Sequence, residues 1–136
     1  MSAHHLLLIE DDDAEARLAK RTLQKISPDT EVTRFGNGIE FIDYLESAPT
    51  EQVDLVLMDL HMPVMGGLDL LDRLQNQGTR LPFPLVVFSS SQDPAEIRQA
   101  YELGISAFVT KPDEPSRYRQ SLKDIVAFWL RTNRLS

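Results

Sequence analysis

The chain has 136 residues, of which 42% are hydrophobic and 26% charged, with a net charge of −7 and no cysteine. That length supports one hydrophobic core, burying roughly 68–70% of the extended surface, and leaves no room for a separate output domain, so residues 1–136 are read as one domain. The composition excludes a disulfide framework, a thiolate metal site and a cysteine nucleophile, and the acidic balance argues against nucleic acid as a partner.

The first residues, Met1 to His5, carry neither basic residues nor a small-residue cleavage site, and no apolar run reaches a membrane span of about 18 residues. No membrane contact and a cytoplasmic setting are therefore expected. Leu6-Leu7-Leu8-Ile9 reads as a strand buried on both faces, stopping at Glu10-Asp11. From Ala14 to Ile26 the apolar residues Leu18, Ala19, Leu23 and Ile26 recur at helical spacing, and Ser27-Pro28 ends the run. Glu31 to Phe35 is a second strand, closed by Gly36-Asn37-Gly38, after which Ile39, Ile42 and Leu45 mark a helix to about Ala48-Pro49. Val53 to Met58 is the clearest strand. The stripe Leu68, Leu71, Leu74 then gives a third helix ending near Gly78. Leu85 to Phe88 is strand four; Asp93-Pro94-Ala95-Glu96 combines an N-cap, a first-turn proline and a capping-box acid, and starts a helix. Ala107 to Val109 is strand five, and Pro115 opens a last helix running to roughly Arg131.

Five βα units imply an α/β fold, a parallel sheet covered by helices on both faces. Ligands of such a sheet sit beyond the carboxyl ends of the strands, where the strand order reverses. Strand one ends in Glu10, Asp11, Asp12 and Asp13, strand three in Asp59, strand four in Ser89-Ser90-Ser91, and strand five in Thr110-Lys111-Pro112. Taken singly these are ordinary features: a solvated acidic loop, a turn aspartate, a serine loop, a Lys-Pro turn. Their shared position at strand ends gives them joint meaning. If strands one and three are neighbours, two or three carboxylates converge beside one lysine and one hydroxyl. Their mutual repulsion is relieved by a hard divalent cation such as Mg²⁺, which takes oxygen ligands and leaves positions open for phosphate. A carboxylate in that setting can attack phosphorus and form an aspartyl phosphate. Asp59, alone at the end of the central strand, is the expected acceptor, with Lys111 on one phosphate oxygen and Ser89 donating to another.

These residues resemble the receiver domains of two-component response regulators over nearly the whole chain. The resemblance rests on Glu10-Asp11, on Asp59 within Leu57-Met58-Asp59-Leu60-His61-Met62-Pro63 followed by Gly66-Gly67, and on Ser89 and Lys111-Pro112. The spacings of 30 from Asp59 to Ser89 and 22 from Ser89 to Lys111 fit that family. It implies a doubly wound (βα)5 sheet of strand order 2-1-3-4-5 and phosphorylation of Asp59 by a sensor histidine kinase. It implies direct ligation of Mg²⁺ by Asp11 and Asp59, Glu10 acting through water, and the backbone carbonyl of His61 as a further ligand. Ser89 would be the switch hydroxyl and Phe108 the switch aromatic; a cis bond before Pro112 is a further implication. Glu10 stands where many members have Asp, Ser89 where Thr is common, and Phe108 lacks the hydroxyl of a tyrosine. The run Ser89-Ser90-Ser91 with Asp93 and Glu96, and the ending Ala127-Phe128-Trp129-Leu130, are similar to the small stand-alone regulators that partner bacterial phytochromes.

On the last helix Tyr118, Leu122, Ile125 and Trp129 form one stripe expected to face the sheet. Phe128 falls about 80° off it at 100° per residue, and Leu135 lies on nearly the same line, which suggests a homodimer through this face or a mere rim of the core. The first helix, with Arg17, Lys20, Arg21 and Lys25, is expected to dock the kinase on the family precedent. Two rival functions remain open: a Mg²⁺-dependent phosphatase with an Asp nucleophile, and a binding module that needs no phosphorylation. Against the phosphatase, His61 stands where a second acid would serve, so no substrate turnover is expected. His61 and Ser91 flank the site and would tune the lifetime of a phosphorylated state.

Overall fold

The computed structural model describes residues 4–48, 50 and 52–132, without the side chain of residue 132. The chain alternates β1 (His4–Ile9), α1 (Asp13–Ile26), β2 (Thr30–Phe35), α2 (Gly38–Ser47), β3 (Leu55–Met58), α3 (Gly67–Asn76), β4 (Leu85–Ser89), α4 (Pro94–Glu102), β5 (Ala107–Thr110) and α5 (Pro115–Val126), followed by a π-helical segment, Ala127–Thr132. The five strands form one parallel sheet in the order β2-β1-β3-β4-β5, the doubly wound arrangement. β3 and β4 are buried at every position, and so is β1 from Leu6, which explains why these strands read as unbroken apolar runs.

The period of two along each strand divides the core between the sheet's faces. Leu7, Ile9, Val56, Met58, Leu85 and Val87 pack with α2, α3 and Ala100 of α4. Leu6, Leu8, Leu55, Leu57, Val86 and Phe88 pack with Ala16, Ala19 and Leu23 of α1 and Tyr118, Leu122 and Ile125 of α5. The strand order reverses between β1 and β3, so the crevice opens above Glu10 and Asp59.

Four expectations require correction. Leu18 is 42% exposed; Ala16, Ala19, Thr22 and Leu23 make the buried face of α1. Val53 precedes β3: its N–H donates to the Thr50 carbonyl in a turn, 3.1 Å, instead of joining the ladder. The bond before Pro112 is trans; the Lys111 N–H donates to the Ser89 carbonyl at 2.7 Å and carries the extended pairing one residue past β5. The last helix does not keep its α period to Arg131. From Ala127 it widens into i→i+5 turns, so the buried position after Ile125 and Val126 falls on Leu130 and not on Trp129, which is half-buried. Arg131 fastens this segment to the α1–β2 turn, its Nη2 donating to Ser27 Oγ at 2.9 Å.

Candidate functional site

β1 and β3 deliver their carboxylates side by side. The Glu10 N–H donates to the Phe35 carbonyl and the Asp59 N–H to the Ile9 carbonyl, both at 3.0 Å, so each acid sits one residue past its strand with its backbone still paired. Asp12 caps α1 by accepting from the Glu15 N–H at 2.9 Å, which turns the first helical residues back over the strand ends. One carboxylate oxygen each of Glu10, Glu15 and Asp59 then lies within 4.8 Å of the others. Asp11 does not share this cluster, and its carbonyl accepts from Arg34 Nη2 at 3.0 Å.

Lys111 closes the group from β5. Its Nζ lies 3.3 Å from Glu10 Oε1 and 3.3 Å from Glu15 Oε1, and 5.6 Å from the centroid of the Phe88 ring, which supports it from below. Glu10 is buried and its carboxyl is pushed up to about 7: burial is the largest cause, Lys111 pulls against it, and the charges of Asp59 and Glu15 add to the rise. Burial presses the Lys111 ammonium down, but Asp59, Glu10 and Glu15 outweigh it and hold the group above the ordinary lysine range.

The β3–α3 loop shapes the third wall. Asp59 Oδ1 accepts from the Leu60 N–H at 2.8 Å, and the Gly67 N–H donates to the Leu60 carbonyl at 2.8 Å. At Gly67 a Cβ would stand 2.9 Å from Leu60 Cα and 3.1 Å from the Asp59 carbonyl oxygen, so only glycine lets α3 approach this closely. Val64, exposed at the loop tip, has φ 70°, a left-handed conformation that a β-branched residue rarely adopts.

Ser89 ends β4 with its side chain buried, Oγ accepting from the Ser91 N–H at 3.3 Å. Ser91 Oγ donates to Glu96 Oε1 at 2.5 Å, and His61 Nε2 stands 3.0 Å from Glu96 Oε2. The His61 ring is thus 60% exposed and tied to α4 rather than to the carboxylates. Phe108 is half-buried against the α2–α4 side of the core, and its outward N–H donates to Tyr101 Oη at 3.0 Å, tying β5 to α4. Phe128 is 49% exposed and packs edge-on against Trp129 at 4.9 Å, while Leu135 lies outside the described residues.

Sequence reasoning thus located Glu10, Asp59, Ser89 and Lys111 at one sheet end. It missed Glu15, whose only signal is its place three residues after the cap residue Asp12, the first-turn position that overlooks the strand end. An all-oxygen set of three carboxylates beside an ammonium suits a hard divalent cation. Among the described residues no helix is long and apolar enough to cross a membrane.

Comparison with known proteins shows the family of this fold. The response regulator receiver domain family matches residues 6–123. The phosphorylated cyanobacterial phytochrome response regulator RcpA superposes with a TM-score of 0.86 at 31% identity, covering 98% of this chain and 99% of its own. The Mn²⁺-bound form of response regulator Rcp1 gives 0.83 at 28%, with the same coverage. Response regulator Rcp1 of Synechocystis is 26% identical over 131 residues, 93% of this chain and 89% of its own. The chain belongs to the response regulator receiver domain family.

Proposed function

We propose that the chain is a phosphorylation-driven switch that accepts a phosphoryl group on Asp59 from a histidine kinase in a Mg²⁺-dependent reaction. The observation carrying this is the convergence of Glu10, Glu15 and Asp59 within 4.8 Å, with Lys111 Nζ 3.3 Å from two of them. An Asp59 carboxylate oxygen attacks the phosphorus of a phosphohistidine; the new O–P bond forms as the P–N bond breaks, and the imidazole leaves with a proton. Lys111 then exchanges its carboxylate partners for a phosphate oxygen, and the Ser89 hydroxyl turns from the Ser91 N–H to donate to another. Glu10, Asp59, the His61 carbonyl and Asp11 would hold the cation, with Glu15 facing it from α1. The bound cation would supply charge neutralisation of the carboxylates and of the phosphoryl oxygens.

Phe108 would follow Ser89, and because Tyr101 grips its N–H the rearrangement reaches α4. The switch acts on itself and turns over no substrate; the His61 ring, held by Glu96, does not stand as a second acid over Asp59. The likeness to RcpA and Rcp1 supports a phytochrome as the kinase, and the Mn²⁺-bound form of Rcp1 supports the cation site. A cleft of about 630 Å³ between α1 and α5, lined by Leu18 with Arg21, Lys25 and Arg119 and by the acids Glu15 and Asp113, offers that kinase a mixed charged surface with an apolar centre beside the site. A homodimer would use the exposed Phe128 face.

The test is intact mass after incubation with a small acyl phosphate, with and without Mg²⁺, for the parent and Asp59→Asn. One Mg²⁺-dependent phosphoryl adduct in the parent alone is expected. No adduct on a folded parent would leave a phosphorylation-independent binding module, and steady release of phosphate would reveal a phosphatase.

A further inference from the structure

Four consecutive carboxylates, Glu10 to Asp13, follow β1, and Lys111 balances them only from inside the crevice. On the outer side stands Arg34, the penultimate residue of β2, aligned with Leu8 of β1. Its guanidinium holds the loop at three points: Nε donates to the Glu10 carbonyl at 2.9 Å, Nη2 to the Asp11 carbonyl at 3.0 Å, and Nη1 to Asp13 Oδ1 at 2.7 Å. Two of these bonds go to backbone, so the contact is more than a surface ion pair, whose worth is small. Fixing the carbonyls of residues 10 and 11 fixes their peptide planes, and with them the directions in which the Glu10 and Asp11 side chains leave the chain. A planar fork of five donors can span three acceptors in this way; an ammonium on a flexible stem cannot.

We propose that Arg34 is the positioning residue of the cation site, holding the β1–α1 loop in the conformation that presents the Glu10 carboxylate, beside those of Glu15 and Asp59, to a divalent cation. The assignment rests on reading the site as a cation-dependent phosphoacceptor. Charge and geometry predict opposite effects here, which makes the role testable. Removing a positive charge near the site would by itself tighten cation binding, whereas releasing the loop would weaken it.

The experiment is titration of the full chain with Mn²⁺, free Mn²⁺ being counted by electron paramagnetic resonance, with Mg²⁺ as competitor and thermal midpoints taken in metal-free buffer. The proteins are the parent, Arg34→Lys, Arg34→Gln and Asp59→Asn. Both Arg34 variants should bind about 10-fold more weakly, the usual cost of losing a group that orients metal ligands. Arg34→Lys keeps the charge and the fold even if Arg34→Gln does not, so it carries the test alone if necessary. Parent-like affinity in Arg34→Lys, or tighter binding in Arg34→Gln, would overturn the proposal and leave the site intact. So would a lowered metal-free midpoint with unchanged affinity, which is the mark of a merely structural arginine. A parent that binds no Mn²⁺, or binds it as Asp59→Asn does, would overturn the reading of the site and the positioning role with it.

Discussion

Lys111 and Glu10 are 101 positions apart in the chain, yet Lys111 Nζ lies 3.3 Å from Glu10 Oε1 and joins the end of β5 to the end of β1 over the carboxylate of β3. The contact partly compensates a buried acid. Burial still wins, and the Glu10 carboxyl sits at about 7.

That raised value sets the sign of a pH dependence. Folded Glu10 holds its proton more tightly than the unfolded chain does, so its contribution to stability is complete below the ordinary glutamate value of 4.5 and is lost as pH rises to about 7. At 1.36 kcal/mol per unit the whole effect is about 3 kcal/mol. Urea unfolding of the metal-free parent and Glu10→Gln across this range should show the parent losing ground to the variant as pH rises. Mg²⁺ at pH above 7 should return stability to the parent and not to the variant. Parallel curves for the two proteins would mean that Glu10 ionises as an ordinary surface acid.

Gly67 is the tightest point of the loop behind Asp59, with the Leu60 Cα only 2.9 Å from where a Cβ would be. Neither backbone can yield without shifting the other, so Gly67→Ala should cost about 1–3 kcal/mol, the usual range for overpacking. Because the Asp59 carbonyl also lies 3.1 Å from that position, the same change should weaken Mn²⁺ binding. A variant with parent-like urea midpoint and affinity would show that the loop gives way freely.

The π-helical end makes two neighbouring apolar residues behave differently. Leu130 is 7% exposed and Phe128 49%. Leu130→Ala should therefore cost about 2–5 kcal/mol. Phe128→Ala should change stability by less than about 0.5 kcal/mol and, on the proposed homodimer, lower the sedimenting mass from that of two chains to that of one. Equal masses for parent and Phe128→Ala would remove the dimer face.

Much of this protein follows from local rules that a sequence displays. Unbroken apolar runs at β1, β3 and β4, a helix cap at Asp93-Pro94, the opening proline Pro115 and punctuation at Gly36-Asn37-Gly38 place five βα units, since each depends only on residues near in the chain. The crossover rule then puts Glu10, Asp59, Ser89 and Lys111 at one end of the sheet, before any distance is known. What lay beyond the sequence is whatever depends on which side chain reaches which partner. Leu18 satisfied the helical spacing but missed the core because the neighbouring Ala19 and Leu23 faced the sheet. The widening at Ala127 moved the buried position to Leu130, because a change of helical period carries no apolar signature of its own. Glu15 and Arg34 carry no local mark in the sequence, and only the packing of α1 and β2 around β1 brings one into the carboxylate cluster and the other behind it. The partners of Lys111, Glu10 and Glu15, come likewise from the meeting of β5 with the β1–α1 loop, because a buried ammonium is held by the negative charges packed around it. Periodicity and caps are local and were legible, whereas the ion-pair partners of Lys111 lie about a hundred residues away in the chain.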